Sequence, residues 1–324
     1  MPNDREHTMP AIHIRQATLD DAQAITVLVR SRIGVWQRLT EQRQVQDVPY
    51  ETLTIYERWL HGGPWMSVET GAIQLNHLLL GAGLPLVAEL DGRVVAYGEA
   101  YQGIEPTPMG DHLHLGHFVV RQDCANAGLE SALLAHLIEL AKAFKCQRFT
   151  AVCVANDGET SAHYTRFGMQ PIARVMRLSL PAKTGQVFYR AVESPDPDAS
   201  LITDWHMPIG RLGSARQQWE SLWPRLWNAI PQIRERRTHR LRFSAAGQEA
   251  FLCCQQQLYD ARSADIYCWS PKPLSGQLLT AIRDWAHREG YRTLVMAVTP
   301  DAIKTLGAEA EADGYYQDVY AVDV

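Results

Sequence analysis

The segment 117–169 combines residues that could bind an anion with one that could donate a proton. An apolar run over Phe118–Val120 ends in a polar loop, and Gly128 then opens an amphipathic helix. A strand–loop–helix junction presents free backbone N–H groups at the positive end of a helix dipole. The sequence therefore predicts a phosphate-binding loop, followed by a short helix that carries Tyr164.

Histidines and a glutamate near this segment are candidate bases and metal ligands. On a strand, His112 and His114 share a face whereas His117 points the other way, so a three-histidine zinc site would require a broken strand. The sequence accordingly predicts no metal site. An imidazole with an ordinary pKa near ~6.5 suits removal of a proton from an ammonium group. His114 and Glu99, on the neighbouring strand, are therefore rival candidates for a general base.

These residues resemble the acyl-CoA-binding core of the GNAT acetyltransferase superfamily. In that family the loop pattern Gln/Arg-x-x-Gly-x-Gly/Ala wraps a pyrophosphate, and the matching window here is 125–130 with its central Gly128. The family's later signature, an Asn followed by Tyr and Gly-Phe, is matched by Asn156 or Asp157, Tyr164 and Gly168–Met169.

The resemblance implies acetyl-CoA as co-substrate and no metal. It implies that a backbone N–H within Phe118–Val120 polarises the thioester carbonyl and that Tyr164 protonates the departing sulfur. His114 stands where histone-acetylating members have a glutamate base. The implied cofactor-binding residues are Phe118, Val119, Val120, Ala125, Asn126, Ala127, Gly128, Leu129, Glu130, Ser131, Asn156 and Asp157.

Local patterns predict the elements that position these residues. Thr18 and Asp21 form a capping box after a first strand, and Asp91-Gly92 between two apolar runs predicts a hairpin. Helical pieces over 51–61 and 66–80 are expected to lie over the acceptor side. The predicted fold class is α/β, with a mixed, mostly antiparallel twisted sheet flanked by helices.

The second half of the chain repeats the pattern of the first, which predicts a tandem duplication similar in layout to mycothiol synthase. We expect an acyl-CoA-binding N-terminal domain over 1–185, a linker over 186–200 and a degenerate C-terminal GNAT-like domain over 201–324. The second junction contains two prolines, which lack N–H donors. Ala310, four residues before Gly314, stands where the first copy has Tyr164.

Composition limits the class of protein. The chain has 324 residues, 31 of them basic and 36 acidic, and its formal net charge of −5 argues against a nucleic-acid partner. No apolar run approaches the ~18 residues of a membrane helix. The six scattered cysteines and the absence of an apolar leader in the sequence predict a cytoplasmic protein. We expect it to be a monomer or homodimer.

The functional prediction is an acetyl-CoA-dependent N-acetyltransferase that acts on the primary amine of a small molecule. Ala125 and Glu130 depart from the loop pattern and favour the alternative of a catalytically weak or inactive acyl-CoA-binding or sensor protein. A protein N-acetyltransferase is a third possibility, which an open groove rather than a roofed pocket would distinguish.

Two other features have structural interpretations. The arginines of 234–242 are predicted to form a solvated connector, because the net acidic chain lacks aromatic residues interleaved with them. Trp219, Trp223 and Trp227 recur at helical spacing and predict core packing.

Overall fold

The computed structural model of the chain describes residues 12–40, 42 and 44–324. The strands are β1 His13–Gln16, β2 Gln37–Leu39, β3 Val45–Asp47, β4 Leu84–Leu90, β5 Arg93–Glu105, β6 Gly110–Val120, β7 Arg148–Val154, β8 Gln170–Pro181, β9 Tyr189–Glu193, β10 His206–Ile209, β11 Thr238–Ala245, β12 Gln248–Gln256, β13 Ser263–Ser270, β14 Thr293–Val298 and β15 Glu311–Asp323.

The α-helices are α1 Ala22–Arg30, α2 Ile55–Trp59, α3 Val68–His77, α4 Leu129–Ala143, α5 Gly158–Arg166, α6 Ala215–Leu222, α7 Pro231–Glu235, α8 Gly276–Arg288 and α9 Pro300–Leu306. A π-helical turn covers Leu78–Ala82. Short 3-10 helices cover Leu19–Asp21, Tyr50–Thr52, Gly63–Met66, Gln122–Ala127, Ala199–Ile202 and Leu226–Ala229. Among the residues described, no helix is both long and apolar enough to cross a membrane.

The chain divides into two compact units. The first extends to Ala100 and resumes with His117–Glu139, and the second comprises Tyr101–Gly116 and Leu140–Val324. In the first unit β4 lies between β1 and β5 and pairs with both antiparallel. The predicted hairpin is confirmed, and its turn residues Asp91 and Gly92 have φ of 51° and 72°. The capping box of Thr18 and Asp21 is also confirmed.

The segment between the first strand and the hairpin is helical where the sequence predicts it, but the helices are shorter. The piece predicted over 51–61 becomes α2, which Thr54 caps by accepting a hydrogen bond from the Glu57 N–H. The piece predicted over 66–80 becomes α3 and the π-helical turn after it. Between α2 and α3, the 3-10 helix Gly63–Met66 has Pro64 in its first turn and carries Trp65.

In the second unit the strands lie in the order β6, β7, β15, β8, β14, β10, β13, β12, β11, β9. The pairs β6–β7 and β13–β14 are parallel, and the other pairs are antiparallel. This arrangement confirms the predicted mixed, mostly antiparallel sheet with one parallel pair in the first half.

The last strands of the two halves are exchanged within this sheet. β15, from the second half, pairs with β7 and β8 of the first half. β8, from the first half, pairs on its other edge with β14 of the second half. Each half therefore completes its sheet with a strand of the other.

The exchange explains why the compact units do not divide at residue 185. The segment 186–200, predicted to be a linker, also contains β9, which pairs antiparallel with β11. The predicted domains over 1–185 and 201–324, with a linker over 186–200, therefore stay a prediction.

One detail of the predicted repeat is wrong. Gly314 lies inside β15 rather than after a helix. The glycine that follows α9 with a left-handed backbone is Gly307, with φ of 77°, just as Gly168 follows α5 with φ of 75°. Ile303, four residues before Gly307, is therefore the counterpart of Tyr164, and Ala310 is not.

The predicted tryptophan packing is confirmed for the first two members of the row. Trp219 and Trp223 are buried and stack with ring centroids 4.2 Å apart. Both contact the rings of Phe251 and Trp269 edge to face, which anchors α6 to the second half of the sheet.

Candidate active site

In the first unit, Glu99 is a buried carboxylate held by two aromatic donors. Its side chain is 4% exposed, on β5. Oε1 accepts hydrogen bonds from Trp65 Nε1 at 2.6 Å and from the Tyr97 hydroxyl at 3.0 Å. The two rings meet edge to face with centroids 4.9 Å apart. Trp65 comes from the segment expected over the acceptor side, and nothing in the sequence linked it to Glu99.

The predicted phosphate loop lies in the same unit. The residues before Gly128 form a 3-10 turn, and Gly128 has φ of 72° with open space where a Cβ would stand. α4 then begins at Leu129, and the first helical bond runs from Ala132 N–H to the Gly128 carbonyl. The amides before Ala132 are first-turn donors without intrahelical acceptors, so this donor set fits a pyrophosphate.

The side chains of the loop differ in their surroundings. Leu129 is fully buried, Glu130 is half-buried and Ser131 is exposed. The Glu130 carboxylate adds negative charge to the first turn of α4. The side chains of Ala125, Asn126 and Ala127 lie outside the described part of the structure. Upstream, Phe118 is half-buried, and Val119 and Val120 are buried on β6.

In the second unit, Tyr164 lies on α5 as predicted, and its side chain is 7% exposed. Its hydroxyl donates to the Val152 carbonyl of β7 at 3.4 Å. Burial raises its pKa above the ordinary range for a phenol. The exchanged strand β15 supports the helix, because Tyr320 contacts the Tyr164 ring and its hydroxyl lies 2.7 Å from Ser161 Oγ.

His114 is completely buried on β6. Its Nδ1 lies 2.9 Å from Thr150 Oγ1 on the paired strand β7. Burial, with a smaller contribution from the charge of His112, lowers its pKa to about 3, and Glu105 opposes the shift. The imidazole is therefore neutral at physiological pH and is a weak base in this environment.

Asn156 and Asp157 are exposed at the start of α5. Asn156 has a left-handed backbone with φ of 75°. Asp157 caps the helix by accepting hydrogen bonds from the Thr160 N–H at 3.1 Å and hydroxyl at 2.7 Å. The hydrogen bonds from Thr160 lower the pKa of Asp157. Asp157 thus has a structural role as an N-cap.

Sequence reasoning missed a buried ionic cluster next to His114. Glu105, at the end of β5, accepts from the Arg211 guanidinium and from the Ala215 N–H at 2.7 Å. His112 Nε2 lies 3.6 Å from the same carboxylate. Burial alone would raise the pKa of Glu105, but the charges of Arg211 and His112 outweigh it and hold that pKa below its ordinary value. Arg211 and Ala215 lie 106 and 110 residues from Glu105 in sequence, so no local signal revealed them.

The second half also contacts β6 directly. Gln217 on α6 donates its side-chain amide to the Gly116 carbonyl at 3.2 Å. The described pairing of β6 with β7 ends at Leu115, one residue earlier, so Gln217 supplies a hydrogen bond where the ladder stops. Gln217 also raises the pKa of His114, against the larger effect of burial.

In the second half, the gap at the strand-to-helix junction between β13 and α8 is filled by another strand of the chain. β13 and β14 pair in parallel only up to Asp265 and Val295. Beyond this point β10 lies between them, and Ile209 is paired with both Cys268 and Val298. The strand therefore fills the gap where the two parallel strands diverge.

Side chains also form hydrogen bonds with backbone groups of this junction. Ser275 caps α8 by accepting from the Leu278 N–H at 3.1 Å. Gln248 donates to the Pro273 carbonyl at 2.9 Å.

Among the residues that the structure describes, no three His, Cys, Asp or Glu side chains form a group that could hold a metal ion.

The architecture places the protein in a known fold class. It is similar to an N-acetyltransferase from Anabaena variabilis, with a TM-score of 0.62 at 11% identity over 96% of this chain and 72% of the other. It is also similar to one from Kribbella flavida, with a TM-score of 0.57 at 12% identity over 97% of this chain and 72% of the other. At these identities the likeness shows the fold.

One segment of the sequence also matches a known family. Residues 44–169, which contain Glu99, His114, Gly128 and Tyr164, match the acetyltransferase (GNAT) family. This match covers less than half of the chain, so the likeness in sequence is that of this segment. A search of curated protein sequences finds no significant match.

Proposed function

We propose that this protein transfers the acetyl group of acetyl-CoA to the primary amine of a small molecule. The observation that carries the proposal is the buried Glu99 carboxylate beside the rings of Trp65 and Tyr97. A carboxylate flanked by aromatic rings attracts an ammonium group by charge and by cation–π contact. Trp65 covers Glu99 within the first unit, which favours a small acceptor over a protein segment.

Glu99 is the proposed general base. The acceptor must lose a proton from its ammonium nitrogen before it can attack, and a carboxylate can accept that proton. His114 is the weaker candidate, because burial lowers its pKa to about 3. We assign His114 a structural role beside Thr150.

Tyr164 is the proposed general acid. Its phenol keeps its proton at physiological pH and is proposed to donate it to the leaving thiolate. Burial raises its pKa, which makes it a weaker acid than an exposed tyrosine. Backbone N–H groups of Phe118–Val120 are proposed to polarise the carbonyl, as preorganised amides do in other acyl transfers.

The backbone amides of the loop and of the first turn of α4, from Ala125 to Ser131, are proposed to hold the pyrophosphate of the co-substrate. Asn156 and Asp157 stay a prediction as cofactor-binding residues. Acetyl-CoA supplies an activated thioester when bound. The second half is proposed not to bind it, because β10 fills the corresponding gap and Ser275 caps α8. We also propose a cytoplasmic location, which the buried free cysteines support.

The test is acetyl transfer to a panel of small amines by purified variants. Glu99→Gln keeps the shape and the acceptor oxygen but removes the base, and we expect kcat/KM to fall ~100-fold. Glu69→Gln, an exposed position on α3, is the matched control and should have no effect. His114→Asn should retain activity within ~tenfold. Equal activity of Glu99→Gln and the parent protein would refute the assignment of the base.

Tyr164 is tested separately from acetyl-CoA binding. Tyr164→Phe should lower kcat ~100-fold and leave acetyl-CoA affinity unchanged, whereas Tyr259→Phe, at a tyrosine that is 74% exposed, should change neither. If the parent protein binds acetyl-CoA in calorimetry but acetylates no amine, the protein is an acyl-CoA sensor and not an enzyme. If it acetylates only peptides, the acceptor class is wrong.

A further inference from the structure

A cavity of about 490 Å³ lies in the second unit, away from every residue assigned above. Its walls come from the end of α6, the 3-10 helix Leu226–Ala229, α7 and the start of β11. The arginines that line it are Arg225, Arg234, Arg236, Arg237 and Arg240. The run predicted to be a solvated connector is therefore folded around a concave site.

Some of these arginines have partners. Arg237 pairs with Glu289 at 3.2 Å, and Arg236 lies 3.6 Å from Asp265. Arg240 donates its Nε to the Leu222 carbonyl at 2.7 Å, which accepts a hydrogen bond but carries no net charge. Arg225 and Arg234 form backbone hydrogen bonds, but within the described part of the chain their side chains form no hydrogen bond or ion pair.

The positive charge in the cavity is therefore incompletely neutralised. Burial lowers the pKa of Arg240, and the positive charge of Arg225 lowers it further, so the two guanidinium groups repel each other. Glu193 offsets part of this charge, because it accepts from the Arg240 N–H at 3.4 Å and lies 3.3 Å from His239. Glu235 is the other acidic residue of the wall.

We propose that this cavity binds a small organic polyanion that carries phosphate or carboxylate groups. Guanidinium groups bind both kinds of oxyanion through paired, charge-assisted hydrogen bonds. The volume exceeds that of a bare phosphate, and Trp227 and Pro224 in the wall offer apolar surface to the rest of the ligand. A bound polyanion would relieve the repulsion between Arg225 and Arg240.

The experiment is calorimetric titration of the full chain with pyrophosphate at low salt. CoA is left out because it carries phosphate groups of its own and would compete for the arginine cavity, so the cavity is identified by the binding that the test variant loses. The test variant is Arg225→Ala/Arg234→Ala, and the matched control is Arg190→Ala, an exposed arginine of β9 outside the cavity wall. Citrate is titrated in parallel to distinguish carboxylate from phosphate ligands.

We expect saturable binding that weakens about tenfold or more in the double variant, is unchanged in the control and declines as salt increases. Tighter binding of citrate than of pyrophosphate would support the site and assign carboxylates as its ligands. Two results would overturn the proposal: neither anion binds the parent protein, or both bind the double variant as tightly as the parent protein. A thermal melt like that of the parent would show that the double variant is folded.

Discussion

His114 links protonation to stability through one buried side chain. In the unfolded chain its imidazole has the ordinary value of 6.5, whereas in the folded protein burial lowers the pKa to about 3. As pH falls through this window, only the unfolded state binds the proton. Stability is therefore lost as pH falls, by ~1.4 kcal/mol for each pH unit.

We predict that this effect alone removes ~2 kcal/mol between about pH 6.5 and pH 5. The measurement is the free energy of unfolding in urea at each pH. His114→Asn should be less sensitive to acid by that amount, whatever its stability at neutral pH. The comparison between variants is needed because burial also lowers the pKa of His206. Parallel pH curves for the two proteins would show that the buried imidazole is not the cause.

Gly116 marks a close approach between β6 and α6. A Cβ added here would lie 2.6 Å from Gln217 Nε2 and 2.7 Å from the Tyr101 ring. Gly116→Ala should therefore destabilise the fold by ~1–3 kcal/mol. Gly276→Ala, at the first residue of α8 with open space around it, should be neutral or slightly stabilising. Chemical denaturation measures the free energy of unfolding of both variants. Equal values would mean that the Gln217 side chain moves away from the added Cβ without loss of stability.

At the scale of elements, a buried ion pair joins the end of β5 to the loop between β10 and α6. Glu105 and Arg211 are 4% and 7% exposed. Glu105→Gln leaves the Arg211 charge buried without its partner, and we predict a loss of ~3–5 kcal/mol. Glu105→Gln/Arg211→Met removes both charges and should recover part of this loss. Unfolding free energies of the four members of this cycle test the prediction, and an additive result would mean that the two charges are not coupled.

Elements with local signals could be predicted from the sequence, whereas those set by distant partners could not. Asp91-Gly92 specifies its hairpin because the turn needs positive φ at both positions. Gly128 likewise predicts the loop that precedes α4. By contrast, β10 has only four residues, and its place between β13 and β14 depends on strands much later in the chain.

The same distinction applies to the candidate site. Tyr164 was predicted because its distance from Gly168 is a local pattern. The contact of Trp65 with Glu99 spans 34 residues, and that of Arg211 with Glu105 spans 106. Neither pair has a periodicity or motif that would associate its members. The two contacts depend on tertiary packing, which cannot be predicted from a single sequence.

For the whole molecule, the exchanged strands make each half dependent on the other. β15 lies between β7 and β8, and β8 lies between β15 and β14. Without the second half, β7 and β8 would lack the strand that separates them and would expose unpaired N–H and C=O groups along their edges. The second half would lose β8 beside β14 in the same way.

We therefore predict that residues 1–185 and 186–324, produced separately, do not fold, and that they form a folded complex when produced together. A protease site inserted between Ser194 and Asp198, after β9, provides the control, because cutting there leaves all strands present. The cut fragments should elute together in size-exclusion chromatography and melt in one cooperative transition. A cooperative melt of 1–185 alone would contradict this prediction, since it would show that the first half can close its sheet without β15.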